Sequence, residues 1–117
     1  TSRILQGQVT ALLSQLNEQL LRMVVFAYEP IWAIGTGLHA TCDQIEESHR
    51  LIRGIIEKEF VGISGEVSIL YGGSVNSGNC KELSEVSEVN GFLVGGASLD
   101  ANQFAEIATI FTEVKKE

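Results

Sequence analysis

Two observations predict an α/β fold built on a parallel sheet for this 117-residue chain. Short, fully apolar runs alternate with longer segments whose apolar residues recur at helical spacing. Each apolar run also ends in a polar or glycine-rich loop leading to the next helical segment, as parallel strands with crossover helices require. The length fits a single domain, residues 1–117, and no linker, repeat or low-complexity tract divides it.

The elements follow in order. "QVTALLSQLNEQLL" carries Val9, Leu12, Leu13, Leu16 and Leu20 at helical spacing and is predicted as a helix. "VVFAYE" is β-branched and aromatic, and reads as a buried strand. A glycine-bearing loop covers residues 30–40. Thr41 and Gln44 then match a capping box, so a helix should start there and run roughly to residue 60 on Ile45, Leu51/Ile52, Ile55/Ile56 and Phe60. "VGISGE" is a turn, and "VSILY" is a second strand ended by Gly72 and Gly73. A short helix is expected near residues 79–86, then "GFLVGG" as the third strand, again ended by two glycines. "ANQFAEIATIFTEVKK" closes the chain as a helix, with Phe104, Ile107, Ala108 and Phe111 on one face and Lys115 and Lys116 at its basic end.

Fifteen acidic against eight basic residues leave a net charge of −7. Without a Lys/Arg cluster, such a chain is a poor partner for nucleic acid or an anionic membrane. The apolar runs are too short to span a bilayer, and no signal-peptide pattern is present. Cys42 and Cys80 form neither a CxxC pair nor a disulfide framework, and a reduced, cytoplasmic setting is expected. The chain opens "TSRILQGQ" with no initiator Met, which is read as a sign of a partial or processed sequence.

The strand ends carry the chemistry. In parallel α/β folds, ligands bind outside the carboxyl ends of the strands. Here those ends read "AYEP", "YGGSV" and "VGGAS". The two Gly-Gly pairs let backbone N–H groups approach an anion, and each leads towards a helix N-terminus. With Glu29 as a carboxylate base beside them, the pattern points to proton abstraction from a small phosphorylated substrate. Other patterns carry less. "GTGLHA" fits G-x-G-x-x-A, but Pro30–Ile34 separate it from the strand, so it is no dinucleotide fingerprint. His39, Cys42 and Asp43 lack the further ligand and spacing of a zinc site. His49 is expected to be solvated or hydrogen-bonded within its helix.

"AYEPIWAIGTG", "ILYGGSV" and "GFLVGGASL", in this order, resemble triosephosphate isomerase, and the resemblance covers nearly the whole chain. It implies a (β/α)8 barrel of which this chain is the carboxyl-terminal part, from the fifth helix through the eighth, with three parallel strands. It implies that Glu29 moves a proton between adjacent carbons of dihydroxyacetone phosphate and glyceraldehyde 3-phosphate through an enediolate, a step of glycolysis and gluconeogenesis. Gly35, Ser74, Gly95 and Gly96 match the phosphate contacts. Pro30, Ile31, Trp32, Ala33, Ile34, Thr36, Gly37, Leu38, His39 and Ala40 match the mobile lid, with Tyr71 latching it near Ala40. The apolar lid would keep water from the enediolate. No cofactor or metal is implied, and the complete enzyme would be a homodimer.

The chain also departs from the family. Leu38 stands where Lys is frequent, Cys42 where Pro is common, Ser68 where Arg is usual, and Glu88 and Asn90 where Asp is common. Arg53 keeps a candidate carboxylate partner in Glu88. The family's substrate-binding Lys and electrophilic His belong to early strands with no counterpart here. The chain alone is therefore expected to be inactive and to need an amino-terminal half. A second reading is a non-catalytic half-barrel that folds or self-assembles and binds phosphate. A third, weaker reading is a different phosphate-handling barrel enzyme, which the Glu-Pro-x-Trp lid argues against.

Overall fold

The computed structural model describes residues 2–30 and 41–116. The elements are α1 (Ser2–Leu13), α2 (Glu18–Leu21), β1 (Phe26–Tyr28), α3 (Cys42–Glu59), β2 (Ile69–Gly73), α4 (Cys80–Ser84), β3 (Gly91–Val94) and α5 (Ala101–Lys116). Single 3-10 turns cover Ser64–Glu66 and Gly96–Leu99. The sheet has the order β1-β2-β3, and both pairings are parallel. Phe26 pairs with Ile69 and Tyr28 with Tyr71, while Gly72 pairs with Leu93 and Gly73 with Val94.

The period of two along each strand separates the faces. Ile69 and Tyr71 are fully buried against helices, and Phe26, Tyr28, Phe92 and Val94 pack on the same side. Below the sheet, Val9, Leu13, Leu21, Ile52 and Ile56 fill one core. Ile45, Val75, Leu83, Val89 and Ile107 fill a second one further along. The opposite face is bare: Val25 is 61% and Leu93 45% exposed. No helix among the described residues is long and apolar enough to cross a membrane.

Several expectations are corrected. The first helical stretch is two helices, because Asn17 caps a new one by accepting from the Leu20 N–H at 2.8 Å. β1 is shorter than the apolar run and α4 is likewise trimmed, whereas β3 ends at Val94, before its two glycines, as expected. Gly72 and Gly73 do not end β2 but belong to it, because β3 pairs with both. On α5, Ile107 is buried but Phe104 is 47% exposed, since the helix turns Ile110 and Phe111 inward beside it. Phe111 meets Phe92 edge-on at 5.1 Å.

The α3 boundaries follow local chemistry. The Gln44 N–H donates to Thr41 Oγ1 at 3.2 Å, and the Thr41 N–H donates to Gln44 Oε1 at 2.9 Å, as the capping box predicts. After the helix, Gly62 adopts φ 91°, a conformation that excludes most side chains. Glu57 fixes that turn by accepting from the Gly62 N–H and the Ser64 hydroxyl.

His49 is hydrogen-bonded, not solvated. It is fully buried on α3, with Nδ1 3.3 Å from the Glu88 carbonyl and its ring near Tyr28 and Tyr71. Nε2 has no hydrogen-bond partner among the described residues. Burial, opposed by the Glu88 carbonyl and reinforced by nearby Arg53, pushes the imidazole down to about 4 from 6.5. The folded state therefore holds His49 neutral, whereas the unfolded chain binds a proton as pH falls through 6.5. This stability is fully present above that value and is lost progressively down to about 4. The whole effect is on the order of 3 kcal/mol, since each tenfold change in proton affinity is worth about 1.4 kcal/mol. Urea midpoints should fall between pH 6.5 and about 5 in the native chain, and His49→Asn should flatten that limb. An unchanged slope in the variant would assign the proton elsewhere.

Candidate active site

All three strands point their carboxyl ends the same way, so the loops that follow them share one rim. Glu29 follows β1 and is exposed there. Its side chain lies across the neighbouring strand: a Cβ on Gly72 would sit 2.6 Å from Glu29 Cγ and 3.1 Å from Oε1. Gly72 is thus the position that leaves room for the carboxylate. Pro30, next in the chain, is buried.

Ser74 follows β2 and is half-buried. The segment it opens is closed by its own side chains. Asn76 Oδ1 accepts from the Gly78 and Asn79 N–H groups, and Asn79 Oδ1 accepts from the Asn76 N–H at 2.9 Å. Asn79 Nδ2 also donates to the Ser74 carbonyl at 2.7 Å. Gln103, from the first turn of α5, accepts from the Ser77 N–H at 3.2 Å. After β3, Gly95 and Gly96 are exposed, and the Ser98 N–H and hydroxyl both donate to the Gly95 carbonyl. The first N–H groups of such a turn have no partner within it and are free for a ligand.

One pocket of about 480 Å³ brings these parts together, with Glu29, Ser74, Gly95, Gly96 and Gln103 among its lining residues. Glu29 is the one charged side chain in that lining, and no Lys or Arg reaches it among the described residues. An anion meeting this lining would be held by local, neutral donors rather than by the overall field of the chain.

Tyr71 lies outside this pocket. It is buried on the helix side of β2, with its hydroxyl close over Gly73. Its expected latch at Ala40, the phosphate contact at Gly35 and the remaining lid residues 31–40 lie outside the described residues. Cys42 is tied to α4, its thiol 3.4 Å from Glu82 Oε1. Burial and that carboxylate push it up to about 11, so it stays a thiol at neutral pH.

Sequence patterning alone misses Gly72 as the seat of Glu29, because it places the glycine after the strand. It also misses Gln103, whose only signal is its position in the first turn of the helix after "VGGAS".

The sequence profile of the family described as Triosephosphate isomerase matches residues 1–111. The triosephosphate isomerase of Geotalea uraniireducens is 46% identical over 108 residues, covering 92% of this chain and 43% of the relative. That of Francisella tularensis subsp. novicida is 43% identical over 105 residues, covering 90% and 42%. That of Rhodopseudomonas palustris is 57% identical over 84 residues, covering 72% and 33%. The chain thus spans less than half the length of these relatives.

Proposed function

This chain belongs to the triosephosphate isomerase family, and from that premise we propose that it supplies the base and the phosphate cradle of an aldose–ketose isomerase acting on triose phosphates. The observation that carries the reading is the single pocket lined by Glu29, Ser74, Gly95 and Gly96 at the strand ends. The Ser74 hydroxyl and the backbone N–H groups of Gly95 and Gly96 hold the phosphate of dihydroxyacetone phosphate. The Glu29 carboxylate takes a proton from the carbon next to the carbonyl, leaving an enediolate. It then returns a proton to the adjacent carbon, which gives glyceraldehyde 3-phosphate.

The chain acts as the carboxyl-terminal part of a (β/α)8 barrel, in a complete enzyme that is a homodimer in the cytoplasm. Two features support this placement. Val25, Ala27 and Leu93 present a bare apolar face where a barrel interior would lie. A second groove, of about 300 Å³ between α1 and β1, is lined by Leu5, Val9, Leu12 and Phe26, beside the outer edge of the sheet. An added parallel strand there would satisfy the edge and fill the groove.

The test is co-expression of this chain with the remaining strand–helix units of a close relative, followed by an isomerisation assay. Active complex should form, and Glu29→Gln should lower kcat by about 10²–10⁴-fold, the usual worth of a positioned general base, with little change in KM. Undiminished turnover in Glu29→Gln would remove the reading.

A second reading, a half-barrel that binds phosphate without catalysis, is favoured by the self-contained bonding of residues 74–79. It expects inorganic phosphate to raise the Tm of the isolated chain and no turnover from the complex.

A further inference from the structure

The pocket poses an electrostatic problem. A phosphate monoester would enter a site that contains a carboxylate and no cation in its lining, on a chain of net charge −7. On this chain the hold on the phosphate falls to neutral donors, whose hydrogen bonds to an anion are charge-assisted. Two lining side chains carry amide N–H groups, Asn76 and Gln103. Asn76 is exposed and uses its oxygen within its own turn. Gln103 is half-buried and is held from outside its own segment.

That hold fixes which way the amide faces. The Ser77 backbone N–H, 3.2 Å away, is an obligate donor, so the oxygen of Gln103 must face it. The Ser77 hydroxyl lies 3.5 Å from the same oxygen. Nε2 is the polar atom that remains, and it has no partner among the described residues. Gln103 therefore links the two sides of the cradle: it ties α5, which follows Gly95 and Gly96, to the segment that begins at Ser74.

We propose that Gln103 is a further phosphate-binding residue, whose Oε1 sets the spacing of the two cradle loops and whose Nε2 donates to a phosphate oxygen. The proposal rests on the isomerase-family reading of the pocket and adds a side-chain donor to it. The ligand class is a phosphate monoester dianion.

The test is a titration of the chain with inorganic phosphate, at constant ionic strength with chloride, followed by amide NMR. In the native chain the backbone signals of Gly95 and Gly96 and the side-chain NH2 signals of Gln103 should shift with one midpoint. Gln103→Glu keeps an oxygen for the Ser77 N–H but replaces the donor with a negative charge. It should weaken phosphate by at least about tenfold, the scale of a hydrogen bond to a charged group, while the Ser77 amide signal stays in place. Gln103→Met removes both contacts and should weaken phosphate and also move the Ser77 signal. An unchanged midpoint at Gly95 and Gly96 in both variants would overturn the role of Gln103 and leave the cradle standing. No shift at Gly95 and Gly96 in the native chain would overturn the cradle itself, and the proposal with it.

Discussion

Assayed alone, the chain is expected to interconvert dihydroxyacetone phosphate and glyceraldehyde 3-phosphate at least about 10⁴-fold more slowly than a complete isomerase. One positioned acid–base group is worth up to about that much, and groups that act together fail together. Three parallel strands leave two open edges and do not close a barrel. The family's Lys and His have no counterpart at the ends of β1, β2 or β3, which carry Glu29, Ser74 and the Gly95–Gly96 pair. His49 does not substitute, because it is buried on the far side of the sheet against Tyr28 and Tyr71. A coupled assay on the purified chain decides the matter. Robust turnover that disappears in Glu29→Gln would mean that self-assembly restores what one copy lacks.

Arg53→Ala should cost the fold about 1–3 kcal/mol, the penalty of leaving partly buried polar groups without their hydrogen-bond donor. Arg53 projects from α3 and is partly buried. Its Nε donates to Glu88 Oε2 at 3.1 Å, so the pairing expected from sequence is present. Its Nη1 donates to the carbonyls of Ser64 and Val67, the latter at 2.9 Å, and its Nη2 donates to Asn90 Oδ1. One guanidinium thereby ties α3 to the segments entering both β2 and β3. Asn90 extends the tie, accepting from the Ile69 N–H at 2.9 Å. Arg53→Lys should recover only part of the loss, since an ammonium cannot reproduce the planar fork. Equilibrium urea unfolding of both variants measures it, and a loss below about 1 kcal/mol in Arg53→Ala would show the network to be dispensable. The surface pair Arg50–Glu46, on the same helix, offers the contrast and should be worth a few tenths.

The parts of the fold legible in sequence were those governed by local chemistry or strict periodicity. The Thr41–Gln44 box placed the start of α3, and "ANQFAEIATIFTEVKK" marked the whole of α5. What was illegible depends on neighbours distant in the chain. Gly72 and Gly73 look like a turn until β3 pairs with them. Asn17 looks like a helix interior until its side chain caps a new helix. The burial of His49 went unread, although it stands four residues from Ile45 and three from Ile52, because its immediate chain neighbours are polar. For the site, the strand-end pattern pointed to Glu29 and the two glycine pairs, the family resemblance added Ser74, and the pocket is lined by Glu29, Ser74, Gly95 and Gly96. Gln103 carries no motif, and its place is set by how α5 docks beside residues 74–79.

The seat of Glu29 on Gly72 makes the chemistry a reporter of strand pairing. The carboxylate rests on a hydrogen atom that belongs to another strand. That arrangement exists only while Tyr28 stands opposite Tyr71. If β1 slid by two residues along its neighbour, the same face would be kept, but Leu70 or Ser74 would lie where Gly72 now does. A bulkier side chain would then occupy the space the base needs. A mispaired chain could bury its apolar residues and still be chemically silent, so activity in a reconstituted barrel would count correctly assembled molecules rather than merely compact ones.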